Sequence, residues 1–82
     1  MRVFAKVYGV GQHKKGVSKK TGQPYDFVEV SIGYAHQMFD GMKCETVAIE
    51  AETIGDRVIA PGDDLDIVIH QANFKTYVDA II

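Results

Sequence analysis

Four lysines lie within seven residues of one another near the start of the chain, and two aromatic residues follow shortly after. These residues are Lys14, Lys15, Lys19, Lys20, Tyr25 and Phe27. Clustered ammonium groups favour the binding of anions, phosphate in the first place. Exposed aromatic rings stack on unpaired bases, each stack contributing on the order of 1 to 3 kcal/mol without reading sequence. The pattern predicts phosphate contacts and base stacking, although a basic run of this kind is also typical of a loop that is merely solvated.

Other residue types that carry out chemistry are poorly placed to do so. His13, His36 and His70 are separated by 23 and 34 residues, with no second ligand at a metal-binding spacing. Cys44 has no histidine nearby in sequence, and the acids of residues 63–66 are typical of a solvated strand start. We therefore expect no catalytic residue, no metal site and no cofactor, and a protein that is not an enzyme.

The formal net charge of −2 hides a sharp division along the chain. Residues 1–25 contain six basic residues and no acid, whereas residues 26–82 contain three basic residues and eleven acids. The positive charge is thus concentrated in the segment that carries the lysine run, which favours an anionic partner for that segment.

The number of cysteines and the hydropathy of the sequence indicate the cellular compartment of the protein. A single cysteine cannot form an intrachain disulfide, which favours a reducing environment. No stretch approaches the roughly 20 apolar residues of a membrane helix, and the first residues lack the apolar region of a signal peptide. We expect a cytoplasmic protein without a membrane partner.

Alternating apolar and polar residues predict five β-strands. In chain order these are residues 2–10, 25–34, 43–50, 64–69 and 74–82. Residues 11–23 lack this alternation and are rich in glycine, lysine and serine, so a long flexible loop is expected there. Shorter connections are predicted at residues 36–41, 51–57, 60–63 and 71–73, of which only 51–57 has any helical character.

Three β-branched residues share one face of the second predicted strand, and Tyr25 and Phe27 share the other. The β-branched residues are Val28, Val30 and Ile32. Since an uninterrupted aliphatic face is the better core, we expect the two aromatic rings to point outward, about 7 Å apart. Strict alternation places Tyr34 on the buried face, but a kink at Gly33 would turn it outward. Phe74 fits a base-stacking, dimer-contact or core role equally well.

Five short strands in 82 residues favour an all-β, five-stranded OB-fold-like barrel with an extended basic loop, formed by a single domain spanning residues 1–82. An SH3-like barrel is the structural alternative. A chain this short buries only about 60% of the surface that it exposes when unfolded, so a second copy would add stability. We therefore expect an oligomer.

Residues 14–27 read KKGVSKKTGQPYDF. This segment resembles the DNA-binding wing of the gene-five-type single-stranded DNA-binding proteins of filamentous phages, in which a basic residue, Gly-Val-Ser and a second basic residue precede Gly-x-Pro-Tyr. The resemblance implies an OB-fold homodimer that coats phage single-stranded DNA cooperatively in the host cytoplasm during viral DNA replication. The chain departs from the family by one extra residue in the wing, by Gln23 before the proline and by a shorter last hairpin.

The resemblance also implies roles for individual residues. Lys14 and Lys19 take the phosphate-binding positions, with Lys15 and Lys20 beside them in the wing. Tyr25 and Phe27 take the stacking positions, and Tyr34 matches a further base-contacting tyrosine with an offset of one residue. The shorter last hairpin leaves open whether Phe74 takes the family's aromatic position at the tip of the dimer loop.

Two other functions remain open on the sequence. One is an RNA-binding translational regulator, which would prefer RNA through contacts to the 2′-hydroxyl. The other is a protein-interaction module of the OB or SH3-like type, which would bind a basic partner through the acidic side chains of residues 26–82.

Overall fold

Strands account for most of the chain in the computed structural model, which describes all 82 residues. The elements are β1 (Arg2–Val17), β2 (Pro24–Ala35), β3 (Met42–Glu50), α1 (Ala51–Ile54), β4 (Asp64–Ala72) and β5 (Lys75–Ile81). The all-β prediction is confirmed, because each predicted strand has a counterpart and the single helix is one turn long. That helix is too short to cross a membrane, and no other helix is present.

The five strands form one antiparallel sheet in the order β3-β2-β1-β4-β5. The long strand β1 connects its two halves, since it pairs with β4 from Arg2 to Lys6 and with β2 from Lys6 to Val17. Strands β3 and β5 are the two edges, and no backbone ladder joins them. The sheet is curved enough that these edge strands come into contact, but it is not closed by hydrogen bonds into a barrel.

Alternate residues from every strand pack on one face of the sheet to form the core. The buried hydrophobic residues are Ala5, Val7, Val30, Ile32, Tyr34, Val47, Ile49, Ile67, Ile69 and Val78. Nine of the ten are Val, Ile or Tyr, and the residues between them on each strand face out, as expected for a sheet with one solvated face. The predicted inward orientation of Val30 and Ile32 is confirmed, and the residues between them lie on the outer face.

The predicted flexible loop at residues 11–23 is wrong for more than half of its length. Strand β1 continues to Val17, and residues 13–17 pair with residues 24–28 of β2. Only the tip is a turn, closed by a hydrogen bond from Ser18 N to Gln23 O of 2.9 Å. Cross-strand backbone hydrogen bonds do not need an apolar face, so this polar hairpin forms without the alternation that marks a strand in sequence. We call the hairpin of residues 13–28 the wing.

The last hairpin is tighter than predicted. Strand β4 extends to Ala72 and β5 begins at Lys75, so the turn is formed by Asn73 and Phe74. Both have positive φ, 53° and 63°, as a two-residue hairpin turn of type I′ requires. Asn tolerates this conformation, whereas Phe adopts it with some strain. Phe74 is consequently a turn residue with a solvent-exposed side chain, and not the first residue of a strand.

Candidate nucleic-acid interface

Tyr25 and Phe27 lie side by side on the outer face of the wing. Their ring centroids are 5.8 Å apart and the ring planes are inclined by 49°. Tyr25 is 41% exposed and Phe27 is half-buried, while Val28 between β1 and β3 faces the core. The predicted outward orientation of both rings is therefore confirmed. Two adjacent, partly exposed rings provide the kind of surface on which successive unpaired bases stack.

The position of the Tyr25 ring depends on a glycine. Gly16 is the direct partner of Tyr25 across the wing, and a Cβ atom at Gly16 would lie 2.7 Å from the Tyr25 hydroxyl oxygen. The absence of a side chain lets the ring lie against the β1 backbone. The wing thus sets the place of one ring, and that ring in turn contacts Phe27.

Lys14 is the basic residue nearest to the aromatic pair. It lies directly opposite Phe27, with its Nζ atom 6.0 Å from the centroid of that ring. The same Nζ donates a hydrogen bond of 2.6 Å to Oε1 of Glu29. This hydrogen bond, together with the attraction of the carboxylate, raises the pKa of Lys14. Lys14 therefore carries its charge beside the stacking surface, and it is paired.

The other three predicted phosphate-binding lysines occupy two different places. Lys15 is exposed on the opposite face of the wing, across from Asp26, whose carboxylate contacts His13. Lys19 and Lys20 are exposed in the turn at the tip. The wing therefore presents one cation on its aromatic face, one on its other face and two at its tip.

A groove of about 360 Å³ runs from the base of the wing across the outer side of β3 to the last hairpin. It is lined by Phe27, Thr46, Ala48, Phe74, Lys75 and Tyr77, among others. The curvature of the sheet brings the β4–β5 turn round to the edge strand β3, so two predicted stacking residues that are 47 positions apart in sequence, Phe27 and Phe74, border the same groove. Phe74 is fully exposed there.

Tyr34 does not lie on this surface, so the outward orientation that a base-contacting role requires is wrong. Its ring is completely buried in the core, and its hydroxyl donates a hydrogen bond of 2.5 Å to Oε2 of Glu45. Burial, and to a smaller extent this hydrogen bond, raises the pKa of Tyr34 to about 12. The kink considered at Gly33 is absent, because β2 and β3 stay in register there and the ring of Tyr8 covers the glycine. Strict alternation therefore holds as far as Tyr34.

Carboxylates surround the aromatic pair, and none of them was among the residues predicted for the site. Glu50 on β3 lies directly opposite Phe27, and with Glu52 it lines a recess beside Tyr25. Glu29, which holds Lys14, shares the outer face with Phe27. The signal that would have found Glu29 is its spacing of two from Phe27 on a strand, which puts both side chains on one face.

No group of His, Cys, Asp and Glu side chains is arranged to hold a metal ion. Comparison with protein-family models, with curated proteins and with solved structures finds no match to this chain. The interpretation of the site therefore depends on its own geometry and on the wing segment of residues 14–27.

Proposed function

We propose that this protein binds single-stranded DNA, largely without sequence preference, through lysine–phosphate contacts and aromatic stacking. The observation that carries the proposal is the aromatic pair Tyr25–Phe27, outward-facing and 5.8 Å apart, on a hairpin that also presents four lysines. Aromatic rings stack on any base, and contacts to phosphate do not depend on the base sequence. A surface that combines the two is better suited to coating a strand than to recognising a particular site.

The strand order supports an OB-fold-like architecture for this function. If β3 were joined to β5, the order β3-β2-β1-β4-β5 would become a closed five-stranded barrel. The two edge strands already contact each other, and Glu45 of β3 and Thr76 of β5 line the same groove. In OB folds the loops between strands 1 and 2 and between strands 4 and 5 bind oligonucleotides. The corresponding connections here are the wing and the Asn73-Phe74 turn, which border one groove.

The biological role we propose is that of a filamentous-phage gene-five-type protein that coats replicated viral single strands cooperatively as a homodimer. The support is the segment of residues 14–27 and its arrangement as a β-hairpin. Only 11 of the 82 residues are buried in the single chain, so a second copy would add buried surface that a chain of this size otherwise lacks. Sedimentation equilibrium tests the dimer, and a monomer at every concentration would contradict it.

Fluorescence titration with oligo-dT, oligo-U and duplex DNA tests the binding itself. We expect quenching of tyrosine emission by oligo-dT and weak binding to duplex. If the four wing lysines contact phosphate, log K should fall with log salt with a slope of about −2 to −3, at roughly 0.7 per phosphate. Tighter binding to oligo-U than to oligo-dT would favour the RNA-binding alternative, and no response to any of the three would contradict the proposal.

A variant at the tip of the wing separates the phosphate contacts from stacking. Lys19→Ala removes one exposed cation that makes no ion pair in the protein. The slope of log K against log salt should become less steep by about 0.7, since one fewer counterion is released. An unchanged slope in a folded variant would show that Lys19 does not contact phosphate.

A further inference from the structure

Glu29 holds the ammonium group of Lys14 over the aromatic face of the wing. The two side chains lie diagonally across the hairpin, because Lys14 is directly opposite Phe27 and Glu29 is two residues further along β2. The Nζ atom of Lys14 is 2.6 Å from Oε1 of Glu29 and 6.0 Å from the centroid of the Phe27 ring. The lysine nearest to the aromatic pair is thus already in an ion pair with a carboxylate of the protein itself.

The other lysines of the wing are in a different situation. Lys15, Lys19 and Lys20 make no ion pair within 4.0 Å, and none of them takes part in the five ion pairs of the chain, to which Lys14–Glu29 belongs. A phosphate therefore meets free ammonium groups at these three positions. At Lys14 it has to compete with a carboxylate, which offers the same kind of charged oxygen acceptor.

The Lys14–Glu29 pair is accessible enough to be exchanged. The Lys14 side chain is 54% exposed and that of Glu29 is 40% exposed. Exposed ion pairs are weak and are screened by salt, so an incoming phosphate can displace the carboxylate. A polynucleotide is favoured over an isolated phosphate in this exchange, since its base stacks on Phe27 at the same time.

We propose that Glu29 is a positioning residue that occupies Lys14 in the free protein and is displaced when a phosphate of single-stranded nucleic acid binds. Glu29 keeps the ammonium group beside the Phe27 ring before binding and lowers affinity by competing for it. The inference rests on the proposed function and adds to it a protein group that sets the strength and the salt dependence of binding.

The variant Glu29→Gln tests this role. Without the competing carboxylate, oligo-dT should bind about two- to fivefold more tightly, as expected for removal of a weak exposed pair. The salt dependence should also become steeper, by up to about 0.7 in the slope. In the wild-type protein the carboxylate released from Lys14 takes up a counterion of its own, which offsets the counterion released from the phosphate.

Glu50→Gln is the matched control. Glu50 lies opposite Phe27 on the same outer face, and its replacement changes the net charge by the same amount. Unlike Glu29, Glu50 forms no ion pair with a lysine. We expect a smaller gain in affinity and an unchanged salt slope. In a Lys14→Gln background, Glu29→Gln should bring no more gain than Glu50→Gln does, because the cation for which Glu29 competes is gone.

The possible outcomes separate the inference from the function on which it rests. If wild-type protein binds oligo-dT but Glu29→Gln gains no more than Glu50→Gln, or keeps its gain without Lys14, the effect is general electrostatics and the inference is overturned alone. If no folded variant binds oligo-dT, the proposed function fails and the inference with it. Circular dichroism of each variant establishes that the sheet is intact.

Discussion

The ring of Tyr25 lies across the backbone of Gly16, its direct partner on the other strand of the wing. A Cβ atom at Gly16 would be 3.0 Å from Cζ of Tyr25, which is a tight contact, and 2.7 Å from its hydroxyl oxygen, which is closer than non-bonded atoms approach. The ring keeps this position only because residue 16 has no side chain. A residue without functional groups thereby determines where a stacking residue stands.

Replacing Gly16 with alanine should weaken oligonucleotide binding while leaving the protein folded. The added methyl group pushes the Tyr25 ring away from the wing, so part or all of one stack is lost, up to about 1 to 3 kcal/mol. Titration with oligo-dT measures the loss, and thermal unfolding measures stability. Gly9→Ala is the control, because the nearest atom to a Cβ there is Ser31 Cβ at 3.9 Å, an ordinary contact. Equal affinities in the two variants would contradict the role given to Gly16.

Tyr25→Ala and Phe27→Ala should each reduce the binding free energy by about 1 to 3 kcal/mol, the value of one stack, with a nearly unchanged salt slope. Neither change removes a charge, so the number of counterions released stays the same. Phe4→Ala is the matched control, since Phe4 is an aromatic of the outer face that is 67% exposed and lies opposite Asp66, away from the wing. A comparable loss in Phe4→Ala would place the stacking surface elsewhere.

Tyr34→Phe should lower stability and leave oligonucleotide binding unchanged. The substitution removes the hydroxyl that donates to Glu45 but keeps the buried ring, so a cost of about 1 to 2 kcal/mol in the free energy of unfolding is expected. Urea denaturation gives the stability, and titration with oligo-dT gives the affinity. Weakened binding by a stable Tyr34→Phe protein would show that the ring reaches the nucleic acid after all.

Stability should fall in acid, in part through Glu45. Burial raises the pKa of this carboxyl, but hydrogen bonds from Tyr34 and Thr76 and the charge of Lys43 outweigh it and bring the pKa below the ordinary value of 4.5. A carboxyl whose pKa is lower in the folded state stabilises the protein above its ordinary pKa and loses that contribution as the pH falls through the folded value. The free energy of unfolding should therefore decline below about pH 4.5.

Glu45→Gln should flatten this decline, as measured by urea denaturation at a series of acidic pH values. The decline should not vanish, because a hydrogen bond from Arg2 also lowers the pKa of Asp66 and gives a contribution of the same sign. Asp40→Asn, in the exposed connection between β2 and β3, is the charge-matched control. Profiles of equal steepness in wild type and Glu45→Gln would contradict the stabilising role of the Glu45 carboxylate.

Alternation of residue types was sufficient to predict which side chains of β2 face the core and which face solvent. Successive side chains of a strand point to opposite faces, so the orientation of Tyr25 and Phe27 relative to Val30 follows from the backbone alone. The same rule places Tyr34 inside. The glycine at position 33 suggested a departure from the rule, but β2 and β3 stay in register there and the ring of Tyr8 covers the glycine.

The length of the wing was beyond the reach of this rule. Residues 13–17 have no apolar alternation because both faces of the hairpin are solvated, and their strand conformation comes from hydrogen bonds to β2. Once this register is formed, it decides which lysine stands beside the aromatic pair. Lys14 does so and Lys15 does not, although the two are adjacent in sequence.

The sequence by itself determined the all-β class, the apolar face of each strand and the segment in which positive charge and aromatic residues meet, because these are local properties of composition and period. Only the tertiary structure decided that Glu29 forms an ion pair with Lys14, that the Tyr34 hydroxyl donates a hydrogen bond to Glu45, and that Phe74 borders the same groove as Phe27. These interactions join residues of different strands. They depend on strand register and on the curvature of the sheet, and neither can be predicted from a local sequence pattern.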